Sequence, residues 1–190
     1  MDCDSEYDDP VSDIDENYEF NPDKEYISPI ATPLLLGKAR IKALQLVQKA
    51  IALENFAKQQ FKTNLSSGAT VNVDLALCRC IKRGVIDVTK AVRKNIKGLV
   101  LIASDVYPVD VVAHLPILCE EKNLTYAYLP CKKILAATCR SKRPVCVVLV
   151  VEPPDNFQKL MSQLTNAEHL DYSKIFEKVD SAIRKGHPYL

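Results

Sequence analysis

The period of the apolar positions changes several times along the chain, and each change marks an element. From Gly37 to about Lys62, Ile41, Leu44, Val47, Ile51 and Phe56 recur at three- to five-residue steps, while Lys38, Lys42, Lys49 and Lys58 fall on other faces. This spacing predicts one long amphipathic helix. Asn64 to Thr70, with Ser66, Ser67 and Gly68, reads as a loop. A second helix is expected over about Asp74 to Cys80 or onward. A third should start near Gly84, carry Val85, Val88 and Val92 on one face, and end between Asn95 and Gly98.

The stretch that follows alternates between strand and helix. Leu99 to Ala103 is a continuous apolar run, as in a strand covered on both faces. Pro108 suits a helix start, and Val109, Val112, Leu115, Leu118 and Cys119 give a helical stripe to Glu121. Leu124 to Leu129 predicts a strand, Lys132 to Cys139 a short helix and Val145 to Val151 a final strand. Strands alternating with helices specify an α/β layer sandwich.

Pro153 and Pro154 close this unit. Beyond them Phe157, Leu160, Met161 and Leu164, then Ile175, Phe176, Val179 and Ile183, predict two amphipathic helices that could either cap the domain or serve as a docking appendage. Ahead of the first helix, Ile27, Ile30 and Leu34 to Leu36 are interrupted by Pro29 and Pro33, which predicts an extended segment lying on the domain surface. The organisation is therefore an arm over residues 1–25, an α/β domain over 26–151 and a helical C-terminal extension over 152–190.

Composition narrows the class. With 190 residues, 47% of them hydrophobic, the chain suits one domain of about 100–150 residues plus tails. Its longest apolar runs fall far short of the ~20 residues of a membrane span, and the acidic start is unlike a signal peptide. The expectation is a soluble intracellular protein. A formal charge of +1 hides an asymmetry: residues 1–25 hold eleven Asp or Glu and one Lys, a net of −10, whereas residues 26–151 hold nineteen Lys or Arg and seven Asp or Glu, a net of +12. Such an arm, poor in aliphatic residues, should be disordered. It either screens a polyanion-binding body or simply keeps the protein in solution.

Candidate chemistry is sparse. The seven cysteines include no C-x-x-C pair, and the three histidines lie far from any cysteine pair; free thiols are expected rather than zinc or disulfides. No glycine-rich phosphate loop is present. Asp105 and Asp110 lack an obvious partner histidine, His114 falls among apolar residues, and Cys131 reads as a small packed side chain rather than a nucleophile. Basic residues are more informative. Arg79, Lys82, Arg83, Lys90, Arg93, Lys94 and Lys97 fall within nineteen residues, and Arg140, Ser141, Lys142 and Arg143 form a second basic knot. Two such elements can clamp an RNA backbone by releasing its counterions. For Arg93, Lys94 and Lys97 a solvated helix face is the favoured reading. At Arg83-Gly84 a glycine beside a helix start allows close backbone approach and presents amide donors to phosphate.

Residues 83–91, RGVIDVTKA, resemble the R-G-x-x-E-x-x-K helix start of the kink-turn RNA-binding ribosomal protein family. Residues 98–123 are similar almost position by position to that family's central strand and helix, and residues 126–130 and 141–144 extend the likeness across about 26–151. Within the family, the leader over residues 29–38 and the Ser141-Lys142-Arg143-Pro144 turn resemble the nucleolar branch found in H/ACA ribonucleoproteins.

The resemblance implies a three-layer α/β/α sandwich with a mixed central sheet, no catalytic site, no cofactor and no small-molecule substrate. It implies an RNA-binding subunit of a nucleolar H/ACA small nucleolar ribonucleoprotein, supporting rRNA pseudouridylation and ribosome biogenesis. Its partners would be an H/ACA guide RNA, H/ACA complex subunit 3 and a separate dyskerin-type pseudouridine synthase. Lys82, Arg83, Gly84, Asp87, Lys90, Arg140, Lys142 and Arg143 would form the RNA surface. Gly84 matches the close-approach glycine, and Asp87 stands where the family usually has a Glu that accepts from a guanine edge. Lys90 matches a basic RNA contact, and Arg143 falls in the second RNA loop.

Departures from the family pattern are specific. Ile86 stands where strict kink-turn binders have Asn, Asp87 is shorter than Glu, and residues 135–140 (LAATCR) lack the glycines of the family's second loop. The stretch from Asn55 to Arg79 also looks inserted. These features fit backbone- and shape-driven RNA binding. Two alternatives stay open at this stage: a box C/D or spliceosomal kink-turn binder, and a protein-interaction scaffold whose RNA site has decayed.

Overall fold

A computed structural model describes residues 26–66, 79–154, 157 and 170–189. The arm over 1–25, the loop expected over 67–70, most of the helix expected from Asp74 and the first C-terminal helix around Leu160 to Leu164 lie outside the described residues. In chain order the elements are α1 (Gly37–Ser66), β1 (Ile81–Arg83), α2 (Val85–Arg93), β2 (Gly98–Ala103), α3 (Asp110–Glu121), β3 (Thr125–Leu129), α4 (Lys132–Thr138), β4 (Val147–Val151) and α5 (Ser173–Gly186).

The strands form one mixed sheet in the order β1-β4-β2-β3. β2 and β3 are parallel, with Leu101 opposite Ala127, while β4 runs antiparallel to both of its neighbours, β1 and β2. Period-two alternation divides the side chains between two cores. Leu99, Leu101, Ala127, Leu129, Val148 and Val150 meet α1, α4 and α5 on one face. Val100, Ile102, Tyr126, Tyr128, Val147 and Leu149 meet α2 and α3 on the other. Every residue of β2 and β3 is buried, which is why β2 reads as a continuous apolar run rather than an alternating one, while β3 also buries Thr125 and two tyrosines. The expected three-layer α/β/α sandwich is the observed architecture.

Two expectations change. Cys80 does not end a helix: it is extended and leads into β1, whose Ile81, Lys82 and Arg83 pair with Val150, Leu149 and Val148. A three-residue strand offers too few positions for a period to be read, and its pairing partner lies nearly seventy residues away. The first helix also runs four residues beyond Lys62, to Ser66.

The sheet edge at β3 is closed by segments from both sides of the chain. The leader forms a parallel bridge, with Tyr128 N–H donating to the Pro33 carbonyl and Leu35 N–H donating to the Tyr128 carbonyl, both at 2.8 Å. The extended segment expected on the domain surface is therefore a partial fifth strand. At the other side, α5 buries Phe176, Val179 and Ile183 in the α1-side core, and the Tyr172 hydroxyl ties its start to the Val151 carbonyl at 3.1 Å. Of the two roles left open for the C-terminal helices, α5 takes that of a cap. Past α5, the buried His187 ring stands edge-on to Tyr126 at 4.5 Å between centroids. Covering an edge in this way removes a template for unwanted strand pairing.

No helix among the described residues is long and apolar enough to cross a membrane. None of the five described cysteines forms a disulfide.

His187 gives a pH test of this packing. Burial holds its pKa below the ordinary 6.5, against a smaller opposing pull from Glu120. The unfolded chain therefore binds a proton that the folded chain refuses, so stability is complete above 6.5 and declines as pH falls through that window. Urea denaturation from about pH 7 to about pH 5 should show this loss, and His187→Gln should flatten it.

Candidate nucleic-acid interface

Strand direction brings three crossovers to one end of the sheet. β1, β2 and β3 are mutually parallel, so α2, α3 and α4 all start at their carboxyl ends, and the turn from α4 into β4 arrives at the same place. Helix N-termini carry partial positive charge and orphan amide donors. Their convergence makes this end of the molecule electropositive before any side chain is counted.

At the β1–α2 junction Gly84 has φ 91° and ψ 151°, a backbone region essentially closed to other residues. Its N–H donates to the Val147 carbonyl at 2.9 Å, which sets the junction against the start of β4. A Cβ at Gly84 would touch nothing within 4 Å, so the surface here is open. No side chain caps α2, so the amides of its first turn have neither an intrahelical acceptor nor a capping side chain.

The turn after α4 is built differently. Arg140 N–H donates to Ala137 and Ser141 N–H to Ala136, at 2.8 and 2.9 Å, with Arg140 at φ 49°. This is a Schellman cap. The same device ends α2 and α3, but there the left-handed residues are Asn95 and Asn123. Arg140 occupies a conformation that costs a residue other than glycine about 1–2 kcal/mol, and it takes the place of the glycine missing from the family pattern. Ser141 then turns the backbone, donating from its hydroxyl to the Arg143 carbonyl at 2.9 Å.

One side chain connects the two turns. The Arg83 guanidinium donates from Nη1 to the Cys139 carbonyl at 3.2 Å, so the end of β1 is tied to the end of α4. Burial pushes the Cys139 thiol up to about 11, with Arg83 pulling weakly the other way; this cysteine is packing material rather than a reactive group.

The structure therefore brings together Arg83, Gly84, Arg140, Lys142 and Arg143. Arg140, Lys142 and Arg143 are exposed, and Arg83 and Gly84 are partly so. Asp87 is exposed in the first turn of α2, where a carboxylate also suits the helix dipole. Lys90 is exposed one turn further, within about 10 Å of the helix start along its axis. Lys82 points from β1 to the face opposite Arg83 and is half-buried. The basic run that is continuous in sequence is split in space: α2 carries Lys94 and Lys97 toward the far end of the sheet, where β2 begins.

Sequence reasoning passed over Lys132 and Lys133, which open α4 at the same end. Their signal was a lysine pair directly after the β3 strand. Lys132 is engaged with the Asp105 carbonyl at 3.3 Å, and Lys133 is exposed. Ile86 is 69% exposed beside Gly84, an apolar side chain offered to whatever occupies the site.

Polar residues weighed for catalysis have structural work. Asp105 Oδ1 accepts from Lys132 N–H at 2.8 Å at the start of α4. Cys131 is the N-cap of that helix, its Sγ accepting from Lys133 N–H at 3.4 Å. His114 lies on the surface with Nε2 3.0 Å from Thr89 Oγ1, joining α3 to α2. Among the described residues no group of three His, Cys, Asp or Glu is placed to hold a metal.

Comparison with known proteins places the chain in a family. Residues 76–160, which bracket both turns, match the ribosomal protein L7Ae/L30e/S12e/Gadd45 family. An H/ACA ribonucleoprotein complex subunit 2-like protein of Arabidopsis thaliana is 33% identical over 153 residues, spanning 80% of this chain and 81% of that protein. The chain belongs to the H/ACA ribonucleoprotein complex subunit 2 family. A further member, H/ACA ribonucleoprotein complex subunit nhp2 of Schizosaccharomyces pombe, is 41% identical over 99 residues, or 52% of this chain and 62% of that one. Among solved structures the 15.5kD RNA binding protein of Giardia lamblia superposes with a TM-score of 0.50 at 25% identity, covering 76% of this chain and all of its own.

Gly84→Ala tests the junction. Since an added methyl meets open space, the cost should be conformational, about 1–3 kcal/mol, and visible as a lower urea midpoint with an unchanged slope.

Proposed function

We propose that this protein is a non-catalytic RNA-binding subunit of an H/ACA small nucleolar ribonucleoprotein, acting in the nucleolus in rRNA pseudouridylation. The observation that carries the reading is the pairing of the uncapped Gly84 junction with the 140–143 basic turn, held together by Arg83 and by the Gly84–Val147 hydrogen bond. Family membership supports it, as does the relatives' naming as H/ACA ribonucleoprotein subunits.

Phosphates of a folded guide RNA would accept from the first-turn amides of α2 and pair with Lys90 on one side and with Arg140, Lys142 and Arg143 on the other. Such contacts fix position without reading sequence. Asp87 would accept from a base edge, and Ile86 would lie against an unstacked base instead of hydrogen bonding to it. An exposed isoleucine in place of Asn is the reason to prefer this over a box C/D or spliceosomal kink-turn binder. The chemistry of uridine isomerisation would belong to a dyskerin-type synthase, with H/ACA complex subunit 3 joining the two proteins.

Lys90→Ala combined with Arg143→Ala removes one cation from each side of the surface. The double variant should bind a guide-RNA hairpin about tenfold or more weakly, with a log–log salt slope shallower by about 1.4, or ~0.7 per lost phosphate contact. Unchanged affinity and slope in a filter-binding titration would rule out the surface. Affinity purification from nuclear extract should recover guide RNAs together with a pseudouridine synthase, whereas recovery of proteins without RNA would favour a scaffold.

A further inference from the structure

The acidic residues 1–25 join the described structure at the same end of the sheet as the basic turns. Tyr26 stands edge-on to Tyr107 with ring centroids 6.2 Å apart, and Ser28 N–H donates to the Ser104 carbonyl at 2.9 Å. Ser104 follows Ala103, whose own N–H donates to the Cys146 carbonyl at 2.8 Å. A short run of main-chain hydrogen bonds therefore leads from the point where the arm attaches to the turn that carries Arg140, Lys142 and Arg143. Tyr107 is 82% exposed, so the Tyr26–Tyr107 contact at the point of attachment sits on the outside of the domain.

Charge and length complete the argument. Eleven carboxylates and a single lysine within residues 1–25 face a body of net +12 over residues 26–151. The sheet is about 14 Å wide from β3 to β1 at ~4.8 Å per strand, and about five extended residues cover that distance. The segment is thus several times longer than needed to reach from Tyr26 to Gly84, and Tyr18 and Phe20 lie among the carboxylates nearest its attachment.

We propose that residues 1–25 fold back over this end of the sheet, setting their carboxylates against Lys133, Arg140, Lys142 and Arg143 as an intramolecular competitor of RNA. The inference rests on the RNA-binding reading above and deepens it. A tethered competitor acts at high effective concentration, so an RNA making a few backbone contacts fails to displace it, while a folded RNA engaging both turns succeeds. Because the arm has already displaced counterions from the basic turns, RNA binding releases fewer of them and its salt dependence is shallower than the number of phosphate contacts would give.

The test compares the full chain with a full-length variant carrying Asn for all seven aspartates and Gln for all four glutamates of residues 1–25. Binding of a guide-RNA hairpin and of an unstructured oligouridylate is followed by fluorescence anisotropy across a salt series. The neutralised protein should bind oligouridylate about tenfold more tightly at low salt, with a steeper log–log slope, and should gain less on the hairpin. Carbodiimide should crosslink carboxylates of residues 1–25 to Lys133 or Lys142 in the unmodified protein, and hairpin RNA should suppress those crosslinks. Equal affinities and slopes overturn the proposal, as does a gain in affinity without these crosslinks, which would be long-range screening alone. If neither protein binds either RNA at low salt, the RNA-binding reading fails and takes this inference with it. RNA binding that ignores the neutralisation defeats this inference and leaves that reading standing.

Discussion

The pairing of β4 with two neighbours at once organises this molecule. β4 is the last strand in the chain, yet it lies between β1 and β2 and runs antiparallel to both. Among the described residues β1 has no other strand partner in the sheet. At the far end of the pairing, β2 and β4 approach so closely that a Cβ on Gly98 would run into the Val150 carbonyl oxygen. Insertion of a reversed strand also delivers the turn before β4 to the end of the sheet where β1, β2 and β3 finish. Gly84 and the 140–143 turn are separated by more than fifty residues of chain, and the β1–β4 register makes them neighbours.

Electrostatics then follow from topology. Three helices open at one end, so their N-terminal partial charges add to those of Arg140, Lys142 and Arg143. The two turns present complementary surfaces: an uncapped helix start over a glycine, where phosphate can approach the main chain, and a cationic loop whose backbone is already closed by its own hydrogen bonds. Arg140 in a left-handed conformation is part of this division. The residue gives up the backbone access that glycine would allow and adds a charge in its place.

The same end also holds Asp105, Cys131 and Lys132, residue types that suggest chemistry when read in isolation. In the fold they cap α4 and fasten the β2 exit to it. A helix of seven residues lying across a sheet end has little intrinsic stability, and these contacts together with the Schellman turn after it hold its geometry. Polar groups spent on positioning a short helix are then engaged in structure.

The sequence alone determined much of this. The runs around Leu99 to Ala103 and Val145 to Val151 announced buried strands, because a strand covered on both faces buries side chains at every position and favours apolar ones there. The three-residue periodicity of α1 and α3 was equally legible, and the likeness over residues 83–91 and 98–123 identified the family and the residues of the candidate surface. Tertiary structure decided the rest. β1 is too short to carry a period and exists only through its pairing with β4, and the leader became a partial strand only because β3 left an edge to cover. The basic residues from Arg79 to Lys97 read as one cluster, yet α2 separates Arg83 from Lys97 and the sheet joins Arg83 to Cys139 instead. Local pattern records what each residue needs beneath or beside it, whereas strand register is a contact between distant segments and leaves no periodic trace in either one.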